Sequence, residues 1–190
     1  MTAKGGVVRE QRLEDFTGAG YDKGRPVALQ ALWFACSNLI VQKWWCPARL
    51  RVLLLRAFGA KIGTGVFIRH RVKVLWPWKL EVGDHSWLGE GVWILNLEPV
   101  TLGRRVCVSQ EAFLCAGSHN WTSATFEYRN APITLGDASW VAARSTVLPG
   151  VRIGPGAVVT AGCTVGRDVP TNAVVTRQME NSVHGRKGER

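Results

Sequence analysis

The chain has 190 residues, room for one domain with a modest N-terminal addition, and its aliphatic and glycine content argues against a disordered polymer. Twenty-four Lys and Arg against fourteen Asp and Glu leave a net charge of +10, which favours anionic partners: phosphates, acidic lipid headgroups or acidic saccharides. No recognised nucleic-acid motif accompanies that charge, so no nucleic-acid role is expected. Cys36, Cys46, Cys107, Cys115 and Cys163 form no CxxC pair, and His70, His85, His119 and His184 are scattered, so no metal site is expected. Reduced thiols in a cytoplasmic protein are the plain reading.

Residues 1–25 read as a polar arm, loosely ordered or wrapped on the surface, and Met1 to Phe16 lack the apolar stretch of a signal peptide. Residues 26–61 read as a helical segment. Pro26 suits the first turn of a helix, and Val27 to Val41 is mostly apolar yet short of the ~20 residues a membrane span needs. Pro47 breaks the segment; Leu50, Leu53, Leu54 and Phe58 resume at helical spacing, and Gly59 marks the end. Two roles compete for this pair. One is a cap over an exposed solenoid end. The other is contact with an anionic membrane at the inner face, suggested by Trp33, Trp44, Trp45, Trp76 and Trp78 among Lys43, Arg49, Arg51 and Arg56. From Lys23 to Leu80 there are eleven Lys or Arg and no acid.

Residues 62–170 carry a six-residue repeat. An aliphatic anchor returns at Ile62, Ile68 and Val74; Val82, Leu88 and Ile94; Leu102, Val108 and Leu114; Leu135, Val141 and Val147; and Ile153, Val159 and Val165. Gly often follows the anchor, and a small residue or Val usually sits four places on. Hexads are too short for helices but fit a short strand plus a bend, so three hexads make one coil of a triangular all-β solenoid. The blocks are 62–79, 82–99, 102–119, 135–152 and 153–170. The glycines and small residues are expected to let the chain turn its corners without collision. Residues 120–132 carry no hexad phase and read as an extruded loop, the kind of excursion where function concentrates. Residues 171–190 read as a basic tail.

The hexads, the loop headed by Gly117-Ser118-His119-Asn120 and the re-entry Pro132-Ile133-Thr134-Leu135-Gly136-Asp137-Ala138-Ser139-Trp140-Val141 resemble the left-handed β-helix O-acetyltransferases. Within that family the likeness is strongest to presumed colanic acid biosynthesis acetyltransferases, and more distant to maltose, galactoside and nodulation-factor acetyltransferases. Trp93 to Leu97, Val108-Ser109-Gln110 and Gly117-Ser118-His119 are its more specific parts. The resemblance implies a left-handed parallel β-helix, a homotrimer with active sites between subunits, acetyl-CoA as acetyl donor and a saccharide hydroxyl as acceptor. It makes His119 the catalytic base, a role that suits a side chain whose ordinary pKa lies near neutrality. It assigns Trp140, Ala142, Ala143, Ala161, Gly162 and Arg167 to acetyl-CoA, and more weakly Asn96, Gln110 and Glu111 to the acceptor. One departure stands out: the Gly-x-Pro-Ala element common after the last coil in such enzymes is absent, and Arg177 is a candidate replacement.

Alternatives remain at this stage. Cys115, four residues before His119, could act as a nucleophile, although no third orienting group is evident. The acceptor could be an amine or a serine, and a non-catalytic trimeric scaffold of polysaccharide assembly is a rival of another class.

Overall fold

The computed structural model describes residues 11–176. Readings that fall on residues 1–10 and 177–190, including those for Arg177, His184 and most of the basic tail, lie outside the described residues.

Each hexad contributes a strand of two or three residues. The first coil holds β1 (Lys61–Ile62), β2 (Phe67–Ile68) and β3 (Lys73–Val74); the second β4 (Leu80–Val82), β5 (Trp87–Leu88) and β6 (Trp93–Leu95). The third holds β7 (Val100–Leu102), β8 (Cys107–Val108) and β9 (Phe113–Cys115). After the excursion come β10 (Ile133–Leu135), β11 (Trp140–Val141) and β12 (Thr146–Val147), then β13 (Arg152–Ile153), β14 (Val158–Val159) and β15 (Thr164–Val165). A sixth coil contributes β16 (Val174–Val175). Every third strand pairs in parallel, giving sheet A (β1, β4, β7, β10, β13), sheet B (β2, β5, β8, β11, β14, β16) and sheet C (β3, β6, β9, β12, β15). This is the three-sided parallel solenoid that the hexads predict, in the left-handed β-helix form that the resemblance implies, with a short helical region ahead of it.

The coil runs on past residue 170. Val169 pairs with Ile153 and Val175 with Val159, sixteen residues along in each case, whereas Ile153 follows its partner Leu135 by eighteen. A turn two residues shorter throws the hexads out of phase, which is why the six-residue spacing stops there.

Anchors stack in register inside the prism, as in the row Ile62, Val82, Leu102, Leu135 and Ile153 along sheet A. All are buried, and each buried Leu, Ile or Val contributes about 1.5–3 kcal/mol of hydrophobic stabilisation. The glycines after the anchors have a different role from easing a bend. A Cβ on Gly83 would sit 2.6 Å from the backbone of Gly103 in the next coil, so glycine permits the coils to approach. The left-handed backbone comes two residues later at the corners. There Arg71, His85, Arg105, Glu111, Ala138 and Arg144 adopt φ of 56–59°, without glycine.

The helical segment caps the first coil. Strand N–H groups donate towards the following coil, as Gly63 N does to the Val82 carbonyl, so the first coil's carbonyls lack donors from a preceding one. Helices α1 (Val27–Cys36) and α2 (Ala48–Ala57) supply them. Arg56 Nε donates to the Ile62 carbonyl (2.9 Å), Arg51 Nη1 to that of Ile68 (3.3 Å) and Trp33 Nε1 to that of Val74 (3.1 Å). One side chain thus serves one anchor carbonyl on each of the three sheets. Arg51 is buried without an acid and also donates to the Val41 and Lys43 carbonyls; burial holds its pKa below the ordinary guanidinium value. Trp33, Val41, Val52 and Leu55 join the solenoid core. Among the tryptophans expected at a membrane, Trp33 and Trp76 are instead buried, and Trp78 is half-buried and stacked on Trp76.

The arm from Gln11 to Arg25 wraps over the surface. Tyr21 accepts a hydrogen bond from Trp76 Nε1, and the Lys23 carbonyl accepts one from Trp78 Nε1 at 2.7 Å. Farther upstream, Arg12 N donates to the Ala124 carbonyl at 2.9 Å, which ties the arm to the extruded loop.

Candidate active site

The excursion leaves the edge between sheets C and A after β9 and returns at β10. It closes on itself through an antiparallel bridge between His119 and Tyr128, with Asn120 N donating to the Glu127 carbonyl (2.8 Å) and Arg129 N to that of Ser118 (2.7 Å). Asn130 Oδ1 accepts the Ser118 N–H (3.1 Å), and Asn120 Oδ1 accepts from the N–H and the hydroxyl of Thr122 (3.2 and 2.7 Å). Short polar side chains turning on their own backbone let an irregular segment hold one shape.

His119 is the best-held side chain of this loop. Its ring stacks on Phe126 at 4.2 Å and 8°, lies 5.1 Å from Tyr128, and meets the edge of Phe16 from the arm at 5.4 Å. Its Nδ1 lies 2.8 Å from the Phe126 carbonyl. A carbonyl only accepts, so Nδ1 is the donor, and in the neutral ring the lone pair lies on Nε2. Held this way, the neutral ring can take a proton at Nε2. Phe16, Phe126 and Tyr128 escaped the sequence reading; the alternation of the last two in the loop was the one available signal.

Other candidates fall into separate places. Asn96, read as an acceptor contact, is fully buried. Its Nδ2 donates to the Trp76 carbonyl (2.6 Å) and its Oδ1 accepts the Trp76 N–H (2.9 Å), so it fixes the backbone of the coil before it. A polar side chain at this corner faces inward because two backbone groups there need partners. Gln110 and Glu111 are exposed on the edge between sheets B and C. Arg144 Nε donates to Glu111 at 2.7 Å and holds that carboxyl below its ordinary pKa.

Trp140 stands on the outer face of sheet B, and its Nε1 donates to Ser109 Oγ at 2.9 Å; Ser109 in this role went unread in the sequence. Ala142 and Ala143, then Ala161 and Gly162, follow on the same B–C edge, linked by the Gly162 N–H to the Ala143 carbonyl at 2.9 Å. Ala142 is buried, whereas Ala161 and Gly162 are exposed, and a Cβ on Gly162 would meet nothing within 4 Å. Small residues thus follow the tryptophan along this edge, with the exposed Arg144 side chain drawn to Glu111 beside them. Arg167 is exposed but lies on the C–A edge with the His119 loop. One chain therefore brings Trp140, Ala142, Ala143, Ala161 and Gly162 together on one edge of the prism and places His119 and Arg167 on another, with sheet C between.

The Cys115 Sγ–H donates to the Gly117 carbonyl at 3.0 Å, and burial raises its pKa above the ordinary thiol value. A thiol held protonated is a poor nucleophile. His70 faces Glu90 at 3.3 Å and His85 is exposed at a corner, both away from the loop. Among the described residues no group of three or more His, Cys, Asp or Glu is placed to hold a metal ion.

The profile of the bacterial transferase hexapeptide family (six repeats) matches residues 132–167. The chain is 40% identical over 169 residues to the presumed colanic acid biosynthesis acetyltransferase WcaF of Escherichia coli strain K12, covering 85% of this chain and 91% of that one. It is 25% identical over 127 residues to the galactoside O-acetyltransferase of the same strain, covering 65% and 63% of the two chains. In fold it is similar to a hexapeptide-repeat acetyltransferase of Vibrio cholerae solved with acetyl-CoA, with a TM-score of 0.72 at 22% identity over 85% of this chain and 90% of that one. The repeat, the extruded loop and the near full-length likeness lead to one assignment: the chain belongs to the hexapeptide-repeat acetyltransferases.

Proposed function

We propose that the protein transfers the acetyl group of acetyl-CoA to a hydroxyl of a saccharide in exopolysaccharide or glycolipid assembly, with His119 as general base. The observation that carries this is the His119 ring, held with Nδ1 2.8 Å from the Phe126 carbonyl, an arrangement that puts the lone pair of a neutral ring on Nε2. Nε2 takes the proton of the acceptor hydroxyl as its oxygen forms a bond to the thioester carbonyl carbon. A backbone N–H steadies the developing oxyanion. The carbon–sulfur bond then breaks, and the CoA thiolate leaves and collects the proton from Nε2. No acetyl-enzyme forms, in keeping with the protonated state of Cys115.

Acetyl-CoA lies along the B–C edge in this reading, its thioester end near Trp140 and its pantetheine arm over Ala142, Ala143, Ala161 and Gly162. The open space at Gly162 suits such a chain. Because His119 and Arg167 belong to the other edge, an active site needs the B–C edge of one subunit against the C–A edge of a neighbour. Closed as a ring of three, the homotrimer that the resemblance implies, that arrangement would place three sites between three chains. Gln110 and Glu111 would border the acceptor side. Names of relatives supply the saccharide class: one is named for colanic acid biosynthesis and another for galactoside acetylation.

The test is release of free thiol from acetyl-CoA against a panel of free, nucleotide-linked and lipid-linked saccharides. Turnover with at least one acceptor, abolished by His119→Ala in a folded protein, is the expected result. Equal turnover by that variant would remove His119 from the reaction. Mixing His119→Ala with a variant blocked at Gly162 should restore part of the activity, since one pairing in a mixed oligomer has both intact edges; no recovery in proven mixed oligomers would sink the shared site.

A further inference from the structure

Helix α1 is turned inside out for a helix at a water-facing surface. Its exposed residues are Val27, Ala28, Ala31, Leu32, Phe34 and Ala35, all apolar, while Gln30, its one polar residue, is buried and donates to the Arg25 carbonyl at 2.6 Å. A water-facing helix shows the opposite arrangement. The face continues through a π-helical turn, Ser37–Val41, where Leu39 is exposed and Asn38 folds its amide back onto the Phe34 carbonyl at 2.8 Å. Exposure of the large side chains is high: Val27 77%, Leu32 58%, Leu39 66% and Leu53 61%. Trp44 and Trp45 follow at 79% and 53%, beside exposed Lys43 and Arg49.

We propose that this face seats the protein on an anionic lipid surface, with α1 lying in the plane of the headgroup boundary. Charge singles out the occupant. Lys43 and Arg49 make no ion pair among the described residues, and the stretch from Lys23 to Leu80 holds no acid that would repel phosphate headgroups. Apolar side chains enter the acyl boundary, exposed indole rings sit at headgroup level, and the cations meet the phosphates. Val27 to Val41 spans roughly 22 Å at the helical rise, too short to cross a bilayer, and no described helix is long and apolar enough to do so. The geometry therefore favours lying on the membrane over crossing it.

The test is flotation of the full chain with vesicles of phosphatidylcholine alone and of phosphatidylcholine with phosphatidylglycerol, at low and high salt. Binding to the anionic vesicles at low salt is expected, at least tenfold weaker to the neutral ones and weaker again at high salt. Leu32→Glu with Leu39→Glu should reduce binding at least tenfold, and Lys43→Glu with Arg49→Glu should abolish the preference for anionic lipid. Failure of the wild type to float with anionic vesicles at low salt overturns the proposal, as does unchanged flotation of the leucine double variant. Sedimentation of that variant decides against a second copy as the occupant: a fall in oligomer mass would make the face a subunit contact and overturn the lipid reading. Lipid binding and acetyl transfer are separable, because thiol release with soluble acceptors is measured on the same proteins without vesicles.

Discussion

Coils and excursion are built on different physics. In the coils, each aliphatic anchor is buried between its counterparts one turn away, as Leu114 is between Ile94 and Val147. In the loop, His119 is held by one hydrogen bond and by aromatic faces from two separate segments. Repetition gives the coils redundancy, so no single rung determines their shape. The loop has no repeat to lean on, and its order depends on a few contacts that come together only in the folded chain. Stability should therefore reside in the first region and rate in the second.

The largest expected effect lies in the loop. His119→Ala should lower kcat/KM by roughly 10²–10⁴ through loss of the base, with a melting curve close to wild type; a large fall in melting temperature would break the separation of the two regions. Next is a rung: Leu114→Ala leaves a cavity among buried neighbours and should cost about 2–5 kcal/mol in chemical unfolding. Its folded fraction should keep near-normal turnover, and loss of activity in fully folded protein would count against the division. A smaller effect is expected at the ring edge that the arm lends to the site. Phe16→Ala removes an aromatic contact of about 0.5–1.5 kcal/mol, so kcat should drop roughly three- to tenfold while melting stays nearly unchanged. No change in kcat would show that the arm plays no part in holding His119.

The smallest effect belongs to the corners of the coils. Asp84 accepts the Thr64 N–H at 2.6 Å and Asp137 the Arg104 N–H at 2.9 Å, and these hydrogen bonds hold both carboxyls below their ordinary pKa. Stability from a depressed carboxyl is fully present above the unfolded value, about 3.9, and is lost as pH falls through the folded value. Melting temperature should therefore slip modestly below about pH 4. Asp84→Asn with Asp137→Asn should flatten that acid slope, and an unaltered slope would assign it to other carboxylates.

The two regions also differ in how far they could be read in advance. Hexad spacing was enough for the solenoid because a period of six forces one face inward at each turn, and the motif around Gly117-Ser118-His119 was enough to single out the histidine. Aromatic and polar composition misled in the cap and at the corners. Trp33 and Trp76 look interfacial in the sequence but fill the core, and Asn96 looks like a solvent-facing corner residue but fixes the backbone of Trp76.

By itself the sequence determined the local and periodic properties: the six-residue rhythm, the three-sided prism and the break at the loop, with His119 proposed as base only through the family resemblance of its motif. Only the tertiary structure decided the properties that depend on distant segments meeting. It set His119 Nδ1 against a carbonyl seven residues away and brought Phe16 against that ring from more than a hundred residues upstream. It also put His119 and the small residues Ala142, Ala143, Ala161 and Gly162 on different edges of one prism, and turned the apolar side of α1 outward. A period records which side chains share a face of their own element; the face another element presents to them follows from how the whole chain packs.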